Sequence, residues 1–134
     1  MLPNIVVFDP GLSGDSIITI SGNYICRATD QPNIALGLIA LSGNAVLRFK
    51  DCYFKTFAAG IPNIWLHQGI TVAEGAKIVF ENCTFINDGT VATITTNSGT
   101  PLDLTFINCR SNSLVVDPNV VEQGDAIDRS TKYV

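Results

Sequence analysis

Apolar and polar residues alternate along this chain in short runs, and none of the runs has the three-to-four-residue spacing of a helix. Ile78 and Phe80 are separated by one polar-side position, and so are Cys83 and Phe85. A period of two is that of a β-strand with one buried face. Glycine-containing turns such as 42–44 separate the runs. The pattern therefore predicts an all-β protein.

An eight-residue motif occurs three times at a long period. Each copy reads apolar-x-Phe-x-(Asp/Asn)-Cys-x-(Phe/Ser), at 47–54, 78–85 and 104–111. The four cysteines are spaced 26, 31 and 26 residues apart, which predicts a degraded fourth copy at 18–26. A single copy cannot bury its own inner face, so we expect the copies to stack as coils.

The motif sets the expected boundaries of the stack. We predict a β-helix domain over 16–114, an N-terminal arm or cap at 1–15 and a C-terminal arm or tail at 115–134. The coils are predicted at 16–33, 34–63, 64–89 and 90–114.

Within each copy the strand alternation breaks at a two-residue corner. The second corner residue is Asp51, Asn82 or Asn108, and these residue types tolerate a left-handed backbone better than others except glycine. We therefore predict a corner ladder formed by these three residues. The inward positions on either side of the corner are predicted to form a core stack, which consists of Phe49, Phe80, Phe106, Cys52, Cys83 and Cys109.

Residues 78–89 resemble a coil of the right-handed parallel β-helix superfamily, which includes pectate lyases and phage tailspikes; they read Ile-Val-Phe-Glu-Asn-Cys-Thr-Phe-Ile-Asn-Asp-Gly. The resemblance covers about 100 residues, 16–114, and concerns the fold alone. It implies a short right-handed parallel β-helix (solenoid) of about four coils with N- and C-terminal arms. This fold hosts both enzymes and structural proteins, so function needs separate evidence.

The cysteines do not have the spacing of a metal site. Tetrahedral zinc sites draw on closely spaced ligand pairs, and this chain contains no Cys-x-x-Cys. Cysteines one coil apart would lie about 4.8 Å from each other with parallel side chains, an unfavourable torsion for a disulfide. We expect buried free thiols, with one disulfide or a metal site as the alternatives. No metal and no cofactor is predicted.

The candidates for catalysis are few. His67 has no nucleophile motif near it, and Trp65 is a solitary aromatic that could pack or stack on a sugar. Glu81 and Asp103 are predicted to point outward, and no two carboxylates in adjacent coils suggest a glycosidase pair. The β-helix lyases that this fold resembles also use an acidic calcium site with a catalytic Arg or Lys, and no such cluster is found. We predict no enzyme activity.

Composition narrows the choice of partners. The 134 residues are 15% charged and 46% hydrophobic, with a mean hydropathy of +0.30, so some apolar surface is expected to be buried between subunits. A net charge of −4 and a pI near 4.6 disfavour nucleic acid. No apolar run reaches 18 residues, which disfavours a membrane span, and the N-terminus lacks the features of a signal peptide. We therefore expect synthesis in a host cytoplasm.

The outward strand positions carry apolar residues where a solvated face would be polar. Val46, Val79, Ile86 and Ile107 form this predicted candidate interface. The sequence thus favours a homo-oligomer, with a trimer favoured by analogy to tailspikes, that contacts other virion proteins. We predict a structural virion protein, either a bacteriophage capsid decoration (cement) protein or a short spike or fibre module. The alternatives are a carbohydrate-binding or carbohydrate-cleaving β-helix module and an extracellular filament subunit.

The alignment of the copies also predicts the register on the outer face. It places Lys50 beside Glu81 and Lys77 beside Asp103, so both pairs are expected to lie one strand apart. Exposed ion pairs add only about 0–1 kcal/mol each. Their value here is as markers of the register.

Overall fold

The computed structural model describes residues 13–22, 24–26, 32–36, 40–66 and 70–131, with the backbone alone for 24–26. Every regular element in these ranges is a β-strand, which confirms the all-β prediction. None of the described residues forms a helix that could span a bilayer. The apolar part of the predicted N-terminal arm, 1–12, lies outside the described residues, and so does His67.

Fifteen short strands make up the described structure. In chain order they are β1 (Ile17–Ser21), β2 (Tyr24–Cys26), β3 (Ile34–Leu36), β4 (Ala40–Leu41), β5 (Val46–Lys50), β6 (Tyr53–Thr56), β7 (Ile64–Leu66), β8 (Thr71–Val72), β9 (Lys77–Glu81), β10 (Thr84–Asn87), β11 (Thr93–Thr96), β12 (Leu102–Ile107), β13 (Arg110–Ser111), β14 (Val115–Val116) and β15 (Val120–Gly124).

The strands form four sheets, and all named strands pair in parallel. The first sheet has the order β1-β5-β9-β12-β15, and the second has β2-β6-β10-β13. The third has β3-β7-β11-β14, and the fourth contains β4 and β8 alone. Neighbours in a sheet therefore come from successive sequence repeats.

Equivalent positions of the repeat lie side by side. Phe80 pairs with Phe49 on one side and with Phe106 on the other. Their rings stack at centroid distances of 5.2 Å and 5.6 Å with interplanar angles of 11° and 16°. A second column stacks Phe54 on Phe85 at 5.2 Å. All five rings are fully buried, so the two columns form the centre of the hydrophobic core.

The first repeat has a different register from the one that the cysteine spacing predicts. Cys26 pairs with Lys55 and not with Cys52, so the proposed alignment of the first cysteine is wrong. Ile20 pairs with Phe49, and Gly22, with φ 67°, stands at the corner in place of Asp51. The first repeat is therefore offset by the strand pairing of β1, and its cysteine falls beyond the corner.

The stack of strands continues past residue 114. The predicted boundary placed 115–134 outside the stack, whereas β14 extends the third sheet and β15 the first. The segment is not recognisable from the motif because it contains neither the phenylalanine nor the cysteine. Gly124 pairs with Phe106, and a side chain at this glycine would collide with the Phe106 carbonyl.

The residues after β15 close one end of the core. Arg110 forms a parallel bridge with Asp128, and Asn112 forms an antiparallel bridge with Ser130. Ile127 is buried against the core between these contacts and β15. The Ser130 hydroxyl donates to Asp128 at 2.6 Å, and this bond lowers the pKa of that carboxyl. The chain thus supplies its own cover at this end.

Phe80 is the residue on which the packing predicts the largest loss. We expect Phe80→Ala to lower the free energy of unfolding by about 3–5 kcal/mol, because it leaves a cavity between two stacked rings. Urea denaturation followed by circular dichroism measures the loss. Ile107→Ala is the control, since Ile107 is 39% exposed and should change stability by no more than about 0.5 kcal/mol. Equal losses in the two variants would contradict this account of the core.

Candidate functional site

The corner residues form a hydrogen-bonded ladder along one edge of the molecule. Asp51, Asn82 and Asn108 have φ values of 57°, 52° and 51°. The Asn82 amide donates to the Asp51 carboxylate at 2.7 Å, and the Asn108 amide donates to the Asn82 side-chain oxygen at 3.2 Å. Asp125 then accepts from the Asn108 backbone N–H at 3.1 Å. These side chains are exposed, and their polar groups bond the repeats to one another.

The three described cysteines are buried and free, and each lies just after a corner residue. Cys83 donates its S–H to the Phe49 carbonyl at 3.3 Å, and Cys109 donates to the Phe80 carbonyl at 3.2 Å. Cys52 makes the equivalent bond to the Ile20 carbonyl at 3.5 Å. The thiol thus satisfies a buried carbonyl of the preceding repeat, which explains why a small side chain with a weak donor occupies this position.

Burial and neighbouring thiols make these cysteines unreactive. The adjacent thiols of Cys109 and Cys52, together with burial, raise the pKa of Cys83 above its ordinary value. The thiolate is the form that attacks electrophiles and binds metals, so a raised pKa disfavours both reactions. Their role is therefore in packing and in hydrogen bonding between repeats.

A second polar ladder lies inside the molecule, and sequence reasoning missed it. Asn33 and Asn63 are both fully buried. The Asn63 amide donates to the Asn33 side-chain oxygen at 3.0 Å and to the Ile86 carbonyl at 2.9 Å. Asn33 donates to the Lys55 carbonyl at 2.7 Å. The available signal was the pattern Asn-Ile-x-Leu, which occurs at 33–36 and again at 63–66.

A third pair of asparagines holds the turn after β10. The Asn87 side-chain oxygen accepts from the N–H groups of Gly89 and Thr90, while its amide donates to the Ala58 carbonyl at 2.8 Å. Asn112, from the next repeat, donates to the Asn87 carbonyl at 2.9 Å. Three sets of asparagine and aspartate side chains therefore join the repeats, and each serves the backbone.

The outer-face register is seen for one of the two predicted ion pairs. Lys50 pairs with Glu81 in adjacent strands, with 3.7 Å between the ammonium and the carboxylate. No ion pair among the described residues joins Lys77 to Asp103. The reason lies in the backbone, because the β9–β12 register begins only at Val79 and Thr105.

The unpaired start of β12 borders a groove of about 870 Å³ on the outer face of the first sheet. The turn that follows β8 forms one wall, and the start of β12 forms the other. Its charged and amide-bearing lining residues are Glu74, Lys77, Asp103 and Gln123. No aromatic residue lines it. The groove occurs where the fourth sheet stops at β8, since the following repeat contributes no strand to that sheet.

Two residues of the candidate interface are not at the surface. Val79 and Ile86 are 6% and 1% exposed, so their assignment to an exposed interface is wrong. Val79 lies in a central strand, flanked by Arg48 and Thr105 in the register, and the Ile86 carbonyl binds the buried Asn63 amide.

The other two assigned positions remain accessible to different degrees. Ile107 is exposed and Val46 is half-buried. Outward positions of this fold are therefore covered unevenly by the chain itself.

The described residues contain no group of three or more histidine, cysteine or acidic side chains arranged to hold a metal ion. Trp65, in β7, is half-buried and pairs with Ala35 and Thr95 of the neighbouring strands. Comparison with family models, curated proteins and solved structures finds no match to this chain. Any function must therefore be argued from the geometry described above.

The inner ladder generates a prediction about stability. Asn63→Ala should lower the free energy of unfolding by more than about 2 kcal/mol, because each buried group left without a partner costs about 1–3 kcal/mol. Chemical denaturation measures the effect. Asn44→Ala is the matched control, since Asn44 is exposed and makes a single 3.3 Å bond to Asp15. If both variants lost the same small amount, the buried ladder would not be a stabilising feature.

The thiols generate a second prediction. In a Cys26→Ser background, we expect Cys52, Cys83 and Cys109 not to react with a thiol reagent such as dithionitrobenzoate while the protein is folded. All three should react after denaturation in guanidinium. Introducing Glu74→Cys at an exposed turn gives the positive control, with one fast equivalent. Fast labelling of any native thiol without that substitution would contradict the burial of the ladder.

Proposed function

We propose that this chain is a short right-handed parallel β-helix and that it serves as a structural protein of a virus particle. Its place would be a bacteriophage capsid decoration (cement) protein or a short spike or fibre module. It would act through assembly with copies of itself and with other virion proteins. Catalysis is not part of this proposal.

The β-helix part of the proposal rests on the strand pairing. Each of three sheets takes one strand from successive repeats, in parallel and in the same order. A chain that visits three sheets in turn and then returns one strand further along follows a helical path. Parallel strands joined by such crossovers are right-handed in about 98% of known cases. The likeness of 78–89 to tailspike and lyase coils agrees with this path.

The observation that carries the structural role is how the polar side chains are used. The asparagine and aspartate side chains of the three ladders bond one repeat to the next, as with Asn82 to Asp51 and Asn63 to Asn33. The thiols are likewise engaged by backbone carbonyls. A stack that joins its repeats both inside the core and at an exposed corner is suited to bearing load on a particle surface.

The surface composition supports assembly. Ile17, Val115 and Phe57 are exposed by 63%, 55% and 38% of their area, in a chain with 15% charged residues. Exposed apolar side chains in a weakly charged surface favour association with other protein surfaces. An extracellular filament subunit would show the same features and remains the alternative within this class.

A second candidate function is carbohydrate binding, which the groove favours. Glu74, Asp103 and Gln123 offer acceptors and donors along it, spaced across neighbouring strands of the β-helix. Against this use, no aromatic side chain lines the groove to stack on a sugar ring. The assembly role therefore has the stronger support.

Two measurements separate the candidates. The first is mass spectrometry and antibody labelling of particles purified from the biological source, where a stoichiometric particle component is the expected result. The second is incubation of the intact chain with pectins, alginates and bacterial surface polysaccharides, with and without calcium, while binding and cleavage are measured. Absence from the particles, or sugar cleavage abolished by Asp103→Asn, would overturn the structural assignment.

A further inference from the structure

The two ends of the first sheet differ in how they are protected from pairing. At one end, β15 carries Glu122, whose carboxylate binds Arg129 at 2.8 Å, and it ends at Gly124 with φ 83°. Charged side chains and irregular backbone are features by which natural edge strands avoid pairing with other chains. At the other end, β1 contains no charged residue, no proline and no glycine. Only one edge of this sheet is therefore protected.

The residues of β1 also leave the core incompletely covered. Ile18 and Ile20 are half-buried, although the next members of their columns, Leu47 and Phe49, are fully buried. Ile17 is 63% exposed on the other face of the strand. None of the described residues pairs with the outer edge of β1. The core thus ends at an uncharged strand, whereas Ile127 covers the opposite end.

The sequence of β1 is complementary to itself in the antiparallel direction. With Thr19 opposite Thr19 of a second copy, Ile18 lies opposite Ile20 and Ile20 opposite Ile18. Both isoleucines point to the core side in each copy, so the two cores would join. Thr–Thr and apolar cross-strand pairs each stabilise a sheet by about 0.2–1 kcal/mol relative to alanine pairs. This pairing brings no charge into the contact.

We infer that β1 pairs antiparallel with β1 of a second copy of this chain, forming a two-fold dimer through the end of the stack. The inference rests on the proposed assembly function and names the surface that performs it. A two-fold contact uses the same surface on both copies and is therefore closed. It makes a dimer the basic unit, in contrast to the trimer that the analogy with tailspikes suggests.

Head-to-tail stacking of β1 on β15 is the competing arrangement. It would continue the parallel sheet from copy to copy and produce an open fibre. The β15 edge opposes this arrangement, because the Glu122–Arg129 ion pair and Gly124 lie along it. The same edge would also have to meet the uncharged β1 without any compensating cation. The two-fold arrangement requires neither.

The dimer is tested with the full chain by sedimentation velocity over a range of concentrations. Thr19→Lys places two ammonium groups opposite each other at the two-fold axis, and we expect it to raise the dimer dissociation constant at least about tenfold. Thr19 is exposed, so the fold should survive, and thermal melting checks this. Gln123→Lys is the matched control, because it adds the same charge to an exposed position of β15 and should leave the dimer unchanged.

A cross-linking variant tests the register. In the Cys26→Ser background, Thr19→Cys should form a disulfide-linked dimer on mild oxidation, because opposite residues of antiparallel strands bring their Cβ atoms within reach. Gln123→Cys should remain uncross-linked. Dimers that persist in Thr19→Lys, or fibres that Gln123→Lys disperses, would overturn the β1 pairing. A monomeric wild type would also overturn it, whereas the structural role is judged separately by presence in the purified particles.

Discussion

Like side chains lie on like side chains throughout this fold, and the parallel backbone hydrogen bonds of the sheets hold them there. Side chains alternate between the two faces of a strand, so a slip of one residue would move Phe80 from the core to the surface and Glu81 into the core. The corner asparagines make such a slip costly, because each must match a left-handed position in the next repeat. Register, core and corner therefore depend on one another.

How far the sequence could predict this structure differs between elements. The Phe-x-Asx-Cys motif is local, so it indicates the strands, the corner and the period together. The alignment of Cys26 used spacing alone, and strand pairing places Lys55 beside it. Strands β14 and β15 contain no motif residue, and their place follows from the free edges that the preceding repeat leaves for them. Spacing without a structural reason was the weaker guide.

The candidate site was less predictable than the fold, for a physical reason. Whether an outward residue is exposed depends on what the rest of the chain lays over it, and no local pattern contains that information. Val79 and Ile86 are covered by the chain itself, while Ile107 is not. The buried amide of Asn63 is equally hidden from local reasoning, because its four bonds reach three different repeats. Long-range contacts decide both cases.

The end of the fourth sheet has a consequence for variation in this chain. One repeat spans 31 residues and the next 26, yet the first, second and third sheets run through both without interruption. The chain between β11 and β12 is therefore a position where length can change while the three-sheet core is kept. Insertions there would add a side to the stack at little expense to its hydrophobic centre. This corner is accordingly the natural place to graft a foreign loop or a display peptide onto the scaffold.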